Sequence, residues 1–168
     1  MARKYVMATR ADGLSDVVID EEVGEGPVID LWINHETPAD ISSHEDPTKG
    51  TLMHEPPDGG AIFRLCTFTT EMSTITPEQM YAMHQQLHSV HIPTLDYLKA
   101  AKHPSMHKTD TLNYFVVISG RLWALSEGKD VLLEPGDFII QQGCMHGWRV
   151  EGEEPALLAA ILVDAKTS

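Results

Sequence analysis

The chain has 168 residues, 42% hydrophobic and 22% charged, which is enough for one domain with a sizeable core. Its 25 acidic residues against 12 basic ones give a net charge of −13, a field that repels nucleic-acid backbones and anionic membranes. The opening MARKYVMATR lacks the apolar run of a signal peptide and no segment has the length of a membrane span, so a cytoplasmic location is expected.

Three short runs, Tyr5 to Thr9, Val17 to Asp20 and Val28 to Ile33, are predicted strands separated by Gly, Asp and Pro. The polar stretch NHETPADISSHEDPTKG reads as a loop, and Asp40, Glu45, Asp46 and, beyond it, Asp58 are expected to be solvated. Ala61 to Thr69 alternates as a strand with Ile62, Arg64, Cys66 and Phe68 on one face. Arg64 reads as a surface charge or, the functional alternative, as an inward anchor for a substrate carboxylate. Cys66 and Cys144 have no CxxC spacing and indicate neither a disulfide framework nor a thiolate zinc site.

At Pro77 the period changes. Thr76 can cap a helix that begins at Pro77, and Met80, Met83, Leu87 and Val90 form its apolar stripe. Ile92-Pro93 ends it, and Thr94 to Lys102 is a second, shorter helix. His84, His88 and His91 border the apolar stripe; a solvated or interface flank is the simplest reading, with a lid edge or a chelating His-x-x-x-His pair as the alternatives.

Six strand-length runs follow Pro104: Thr111 to Ser119, Arg121 to Ser126, Asp130 to Leu133, Phe138 to Gln141, Met145 to Glu151 and Ala156 to Val163. Strands this short, joined by tight turns, gain stability by closing or doubling a sheet, so a barrel or sandwich is expected.

Two stretches in this part, MHKTDTLNYFVVISG and LLEPGDFIIQQGCMHGW, resemble the paired motifs of the cupin family. In the second, Gly136-Asp137, Gly143 and His146 stand in register, whereas Gln141 replaces the motif proline and Val150 its asparagine. In the first, counting back from Gly120 puts Asn113 at the glutamate place, Thr109 at the second histidine and His107 at the first. The resemblance implies a mainly β chain: a single cupin barrel, or jelly roll, with its motifs in 105–163. It also implies N-terminal strands and a loop in 1–70 and a helical insertion in 71–104, all in one domain.

Cupins usually hold iron, manganese, zinc or nickel on those two histidines, the glutamate and the later histidine. Here only His107 and His146 are retained, and the amide and hydroxyl of Asn113 and Thr109 bind such metals poorly. A divalent ion (Fe, Zn, Mn or Ni) is therefore absent or held weakly unless Asp110, His103 or a group from the helical insertion completes the set. If His107 and His146 share a pocket they can act as base and acid, with Trp148 as a flat wall and Thr109 and Asn113 as hydrogen-bonding groups. The bland alternatives are hydrogen-bonded core histidines and a plain core tryptophan.

The leading expectation is a small-molecule pathway enzyme doing acid–base chemistry of the lyase, dehydratase, isomerase or cyclase kind on a carbonyl-containing or aromatic substrate. A metal-dependent dioxygenase and a non-catalytic ligand-binding barrel are the rivals. A homodimer is expected, with strands from the first sixty residues completing a partner's sheet.

Overall fold

The computed structural model describes residues 2–166. The strands are β1 (Arg3–Thr9), β2 (Ser15–Glu22), β3 (Val28–Asn34), β4 (Ala61–Phe68), β5 (Thr111–Ser119), β6 (Leu122–Ser126), β7 (Val131–Leu133), β8 (Phe138–Gln142), β9 (His146–Val150) and β10 (Ala156–Asp164). Helices α1 (Thr70–Ser73), α2 (Pro77–Gln86) and α3 (Leu95–Ala100) lie between β4 and β5.

A five-stranded sheet in the order β3-β4-β10-β5-β8 faces a three-stranded sheet, β7-β6-β9, and every pairing is antiparallel. Alternation fills the space between them. On β10, Ala156, Leu158, Ala160 and Leu162 point inward, and they meet Phe115 and Val117 of β5, Leu122 and Ala124 of β6, and Trp148 of β9. The fold is therefore the mainly β barrel with inserted helices that the sequence implies.

The barrel is larger than residues 105–163. Strand β10 pairs with β5 along one edge and with β4 along the other, and β3 then pairs with β4. So β3 and β4 complete this chain's own sheet rather than a partner's. Only β1 and β2 stand apart, as a two-stranded hairpin. That hairpin is tied to the loop by Asp46, which is buried rather than solvated: its carboxylate accepts from Lys4 Nζ at 2.7 Å and from Thr48. Burial alone would raise the Asp46 pKa, but the hydrogen bonds from Lys4 and Thr48 outweigh it and hold the group at about 2.

Helix α2 starts as the sequence predicts, with Pro77 in its first turn and a reciprocal Thr76–Gln79 capping box. It ends sooner. His88 takes a positive φ of 52° and Val90 is exposed, so the apolar stripe stops at Leu87 and the chain turns away. Helix α1 is a single turn, too short to leave a periodic signal in sequence. Gly120 follows β5 at a φ of 73°, where a Cβ would lie 2.3 Å from the Pro155 carbonyl oxygen; the motif glycine is what lets β5 and β10 meet at this corner.

The outer face of the large sheet carries an apolar row. Phe63, Ile161, Tyr114 and Ile140 are successive cross-strand neighbours on β4, β10, β5 and β8, and all four are exposed.

Candidate functional site

The two motif histidines are joined through their backbones. His107 N–H donates to the His146 carbonyl at 2.8 Å and His146 N–H donates to the His107 carbonyl at 2.9 Å, so their rings lie side by side, 4.4 Å between centres. Gly147 allows this approach, because a Cβ there would lie 2.7 Å from Ser105 Oγ. The same hydroxyl accepts from Trp148 N–H and donates to the Trp148 carbonyl, locking the segment before His107 against β9. With both motif strands facing one interior across two antiparallel sheets, the architecture is decided. The fold is that of a cupin.

Two histidines from outside the cupin motifs complete a cluster. His84, on α2, lies 5.2 Å from His107 between ring centres; His54, in the loop before β4, lies 5.1 Å from His107 and 5.3 Å from His84. Each ring has its Nδ1 beside an oxygen. His107 Nδ1 lies 2.8 Å from the Ser105 carbonyl, His146 Nδ1 2.9 Å from the Cys144 carbonyl, His84 Nδ1 2.9 Å from Ser89 Oγ and His54 Nδ1 3.4 Å from Glu55 Oε1. The carbonyls fix the Nδ1–H tautomer of His107 and His146, leaving Nε2 of each as a bare acceptor. His84 Nε2 is buried with no protein partner.

Burial keeps these imidazoles neutral. Desolvation lowers His84 and His146 to about 4, with the His54 charge adding to the effect in both. His107 is pushed well below the ordinary value by desolvation and then by His146 and His54. Glu55 is the counterweight: burial raises its pKa, but the hydrogen bond and charge of His54 and the backbone N–H groups of Val90 and His91 lower it on balance.

These side chains line one cavity of about 380 Å³. Its walls are largely apolar, with Phe68, Phe115 and Trp148 from the sheets and Met80, Met83 and Leu87 from α2. Thr109 and Asn113 also line it; Thr109 Oγ1 is bonded to Thr111 Oγ1, whereas Asn113 Oδ1 is buried without a partner.

Several expectations are corrected. Arg64 is buried, not a surface charge, and its guanidinium is committed: it pairs with Asp30 at 2.8 Å and donates to the carbonyls of Met53 and His54 at 2.7 and 3.1 Å. It holds the His54 loop instead of offering a free cation to a substrate carboxylate. His103 and Asp110 do not line the cavity. Both His103 nitrogens are engaged, by Ser105 Oγ and the Ser73 carbonyl, and the Asp110 carboxylate is taken by His91 and Lys108. Of the helix histidines only His91 and His88 are exposed; His84 turns inward because α2 lays its Met80 and His84 side against the barrel. His54 was not singled out by sequence, since a lone histidine in a non-periodic loop carries no signal.

No family model and no curated protein matches the sequence. Among solved structures, the chain resembles the EutQ protein of Clostridium difficile at 11% identity and a TM-score of 0.43, over 98% of each chain. It resembles a Cupin 2 conserved barrel domain protein from Salinispora arenicola at 14% identity and a TM-score of 0.39, over 62% of this chain and 64% of that one. It also resembles the DMSP lyase DddQ from Ruegeria pomeroyi at 14% identity and a TM-score of 0.39, over 64% of this chain and 41% of that one. At these identities no substrate or reaction is carried across. Among the described residues, no helix is long and apolar enough to cross a membrane.

The metal usual in cupins does not fit the motif positions themselves, where Thr109 and Asn113 stand. Nor, among the described residues, are three His, Cys, Asp or Glu groups already gathered into a finished ion-binding set. What does fit such an ion is the chemistry of the donors: neutral imidazoles, held from outside at Nδ1, with His84 Nε2 an orphan.

Proposed function

We propose that this cupin is a small-molecule enzyme of the lyase or isomerase kind, which removes a proton next to a carbonyl group inside the histidine-lined cavity. The observation that carries this reading is the burial of neutral histidines with free Nε2 atoms in an otherwise apolar cavity.

The reacting groups are His146 and His107. A histidine lowered to about 4 is present as free base throughout the physiological range, but it is a weak base, so the carbon acid must be activated by an adjacent carbonyl. Its conjugate acid is correspondingly strong. Having taken the proton at Nε2, the imidazolium readily returns it, either to another carbon, which completes an isomerisation, or to a departing hydroxyl, which completes a dehydration. Asn113 Oδ1, an acceptor without a partner, suits a substrate hydroxyl or enol. The ring of Trp148 and the α2 methionines favour a flat or conjugated substrate body and exclude water. A divalent ion bound by the imidazoles would supply Lewis-acid polarisation of the carbonyl.

The working unit in this reading is a homodimer. The row Phe63, Ile161, Tyr114 and Ile140 carries no charge in a chain whose net charge is −13, and burial against the same row of a second copy removes it from water.

The test is hydrogen–deuterium exchange at carbons next to the carbonyl, followed by NMR in D₂O with a panel of hydrophobic aryl ketones and β-hydroxy ketones. Catalysed exchange or elimination, lost in a folded His146→Gln variant, is expected. Ligands that bind without exchange in any member of the panel would favour a binding barrel and overturn the catalytic reading.

A further inference from the structure

We infer that His54 and His84 replace the two lost motif ligands, so that His54, His84, His107 and His146 together bind one divalent transition-metal ion. The ligand set has moved from the barrel strands to the loop before β4 and to helix α2. This deepens the reading of the same cavity as a chemical site, and it rests on that reading only for the purpose the ion serves.

Three observations support it. The first is spacing. Imidazoles bound through nitrogen at about 2.1 Å place their ring centres about 3.2 Å from an ion, hence about 5.2 Å apart at tetrahedral angles and about 4.5 Å at right angles. The observed separations are 5.1, 5.2 and 5.3 Å among His54, His84 and His107, and 4.4 Å between His107 and His146.

The second is the outer shell. Metal-binding histidines characteristically give their other ring nitrogen to a carbonyl, carboxylate or hydroxyl. All four rings do so, to the Ser105 and Cys144 carbonyls, the Ser89 hydroxyl and the Glu55 carboxylate. Arg64 supports the arrangement by holding the His54 carbonyl, and Glu55 brings a buried negative charge next to a set of neutral ligands.

The third is the orphan. A buried nitrogen without a partner costs on the order of 1–3 kcal/mol, and His84 Nε2 is such an atom, in a cavity lined by the other three rings. A cation satisfies His84 Nε2 together with the Nε2 acceptors of His107 and His146. Because the groups are not already gathered into a finished set, the rings must turn slightly on binding, and the affinity falls below that of a preformed structural site. Imidazole donors suit Zn²⁺, Co²⁺, Ni²⁺ and Fe²⁺ over Mg²⁺ or Ca²⁺.

The experiment uses the full chain without a histidine tag, stripped with chelator and titrated with Zn²⁺ by calorimetry and with Co²⁺ by visible absorption. One ion per chain is expected, with Co²⁺ bands of a nitrogen-rich, low-symmetry site. His54→Gln and His84→Gln should each weaken binding at least about tenfold and change the Co²⁺ spectrum, while His103→Gln, outside the cavity, leaves both unchanged. If burial of position 84 prevents those variants from folding, Ser89→Ala, which removes only the Nδ1 partner, should still weaken binding at least about tenfold. Saturation that fails to reach one ion per chain, or His54→Gln and Ser89→Ala variants that bind like wild type, would overturn the inference. Ketone exchange by the stripped protein separates the two ideas: exchange without metal binding leaves the acid–base reading standing alone, and metal binding without exchange leaves the metal site standing alone.

Discussion

His107 and His146 exchange both of their backbone hydrogen bonds, at 2.8 and 2.9 Å, and this isolated bridge sets their rings 4.4 Å apart. Because the bridge is made by main chain, the pairing of the two rings depends on how closely the Ser105 to His107 segment can approach β9. Gly147 sits at that approach.

Gly147→Ala would put a methyl group 2.7 Å from Ser105 Oγ and 3.1 Å from Met106 N. The Ser105 hydroxyl, which both accepts from and donates to Trp148, would have to move. Overpacking of this kind costs about 1–3 kcal/mol, so thermal unfolding should show a clear loss of stability. A melting temperature equal to wild type would show that the close approach is not needed.

Arg64→Met should be more damaging. It leaves the Asp30 carboxylate buried without its partner and frees the Met53 and His54 carbonyls. Breaking a buried pair on one side typically costs about 3–5 kcal/mol, and denaturant unfolding measures it. Arg64→Lys keeps the charge but not the planar fork, and is expected to fall between the two.

Acid should destabilise the protein through its histidines. His84 and His146 are lowered to about 4 in the folded chain against an ordinary value of 6.5, and His107 is lowered further. Such groups bind protons more readily when unfolded, so the stability they confer is complete above about pH 6.5 and is lost as the pH falls toward about 4. Melting temperatures measured across that window should fall steadily, and the fall should be shallower in His84→Gln.

The apolar row predicts the oligomer. Ile161→Lys places a charge in the middle of the row, beside Phe63 and Tyr114. Light scattering should give twice the chain mass for wild type and the single chain mass for the variant. A monomeric wild type would contradict the homodimer.

Much of the fold was legible because its signals are local. Alternation found β4, β5 and β10, a capping box and proline found the start of α2, and the motif glycines marked the turns that bring His107 and His146 together. The rest depended on pairing across the chain. That β3 and β4 join β10 follows from register between strands nearly a hundred residues apart, which no local pattern encodes. The same applies to the site: His84 sits on a stripe that looks polar until α2 packs on the barrel, and His54 becomes part of the cluster only because buried Arg64 gathers in the loop that carries it.

The account rests on histidines that are neutral, protonated on Nδ1 and free at Nε2. Long-range ¹H–¹⁵N correlation NMR of the imidazoles at neutral pH tests this directly. His107 and His146 are expected as neutral Nδ1–H tautomers with unprotonated Nε2, and those Nε2 resonances should shift when a cavity ligand or Zn²⁺ is added. Rings found protonated on both nitrogens, or carrying the proton on Nε2, would contradict it.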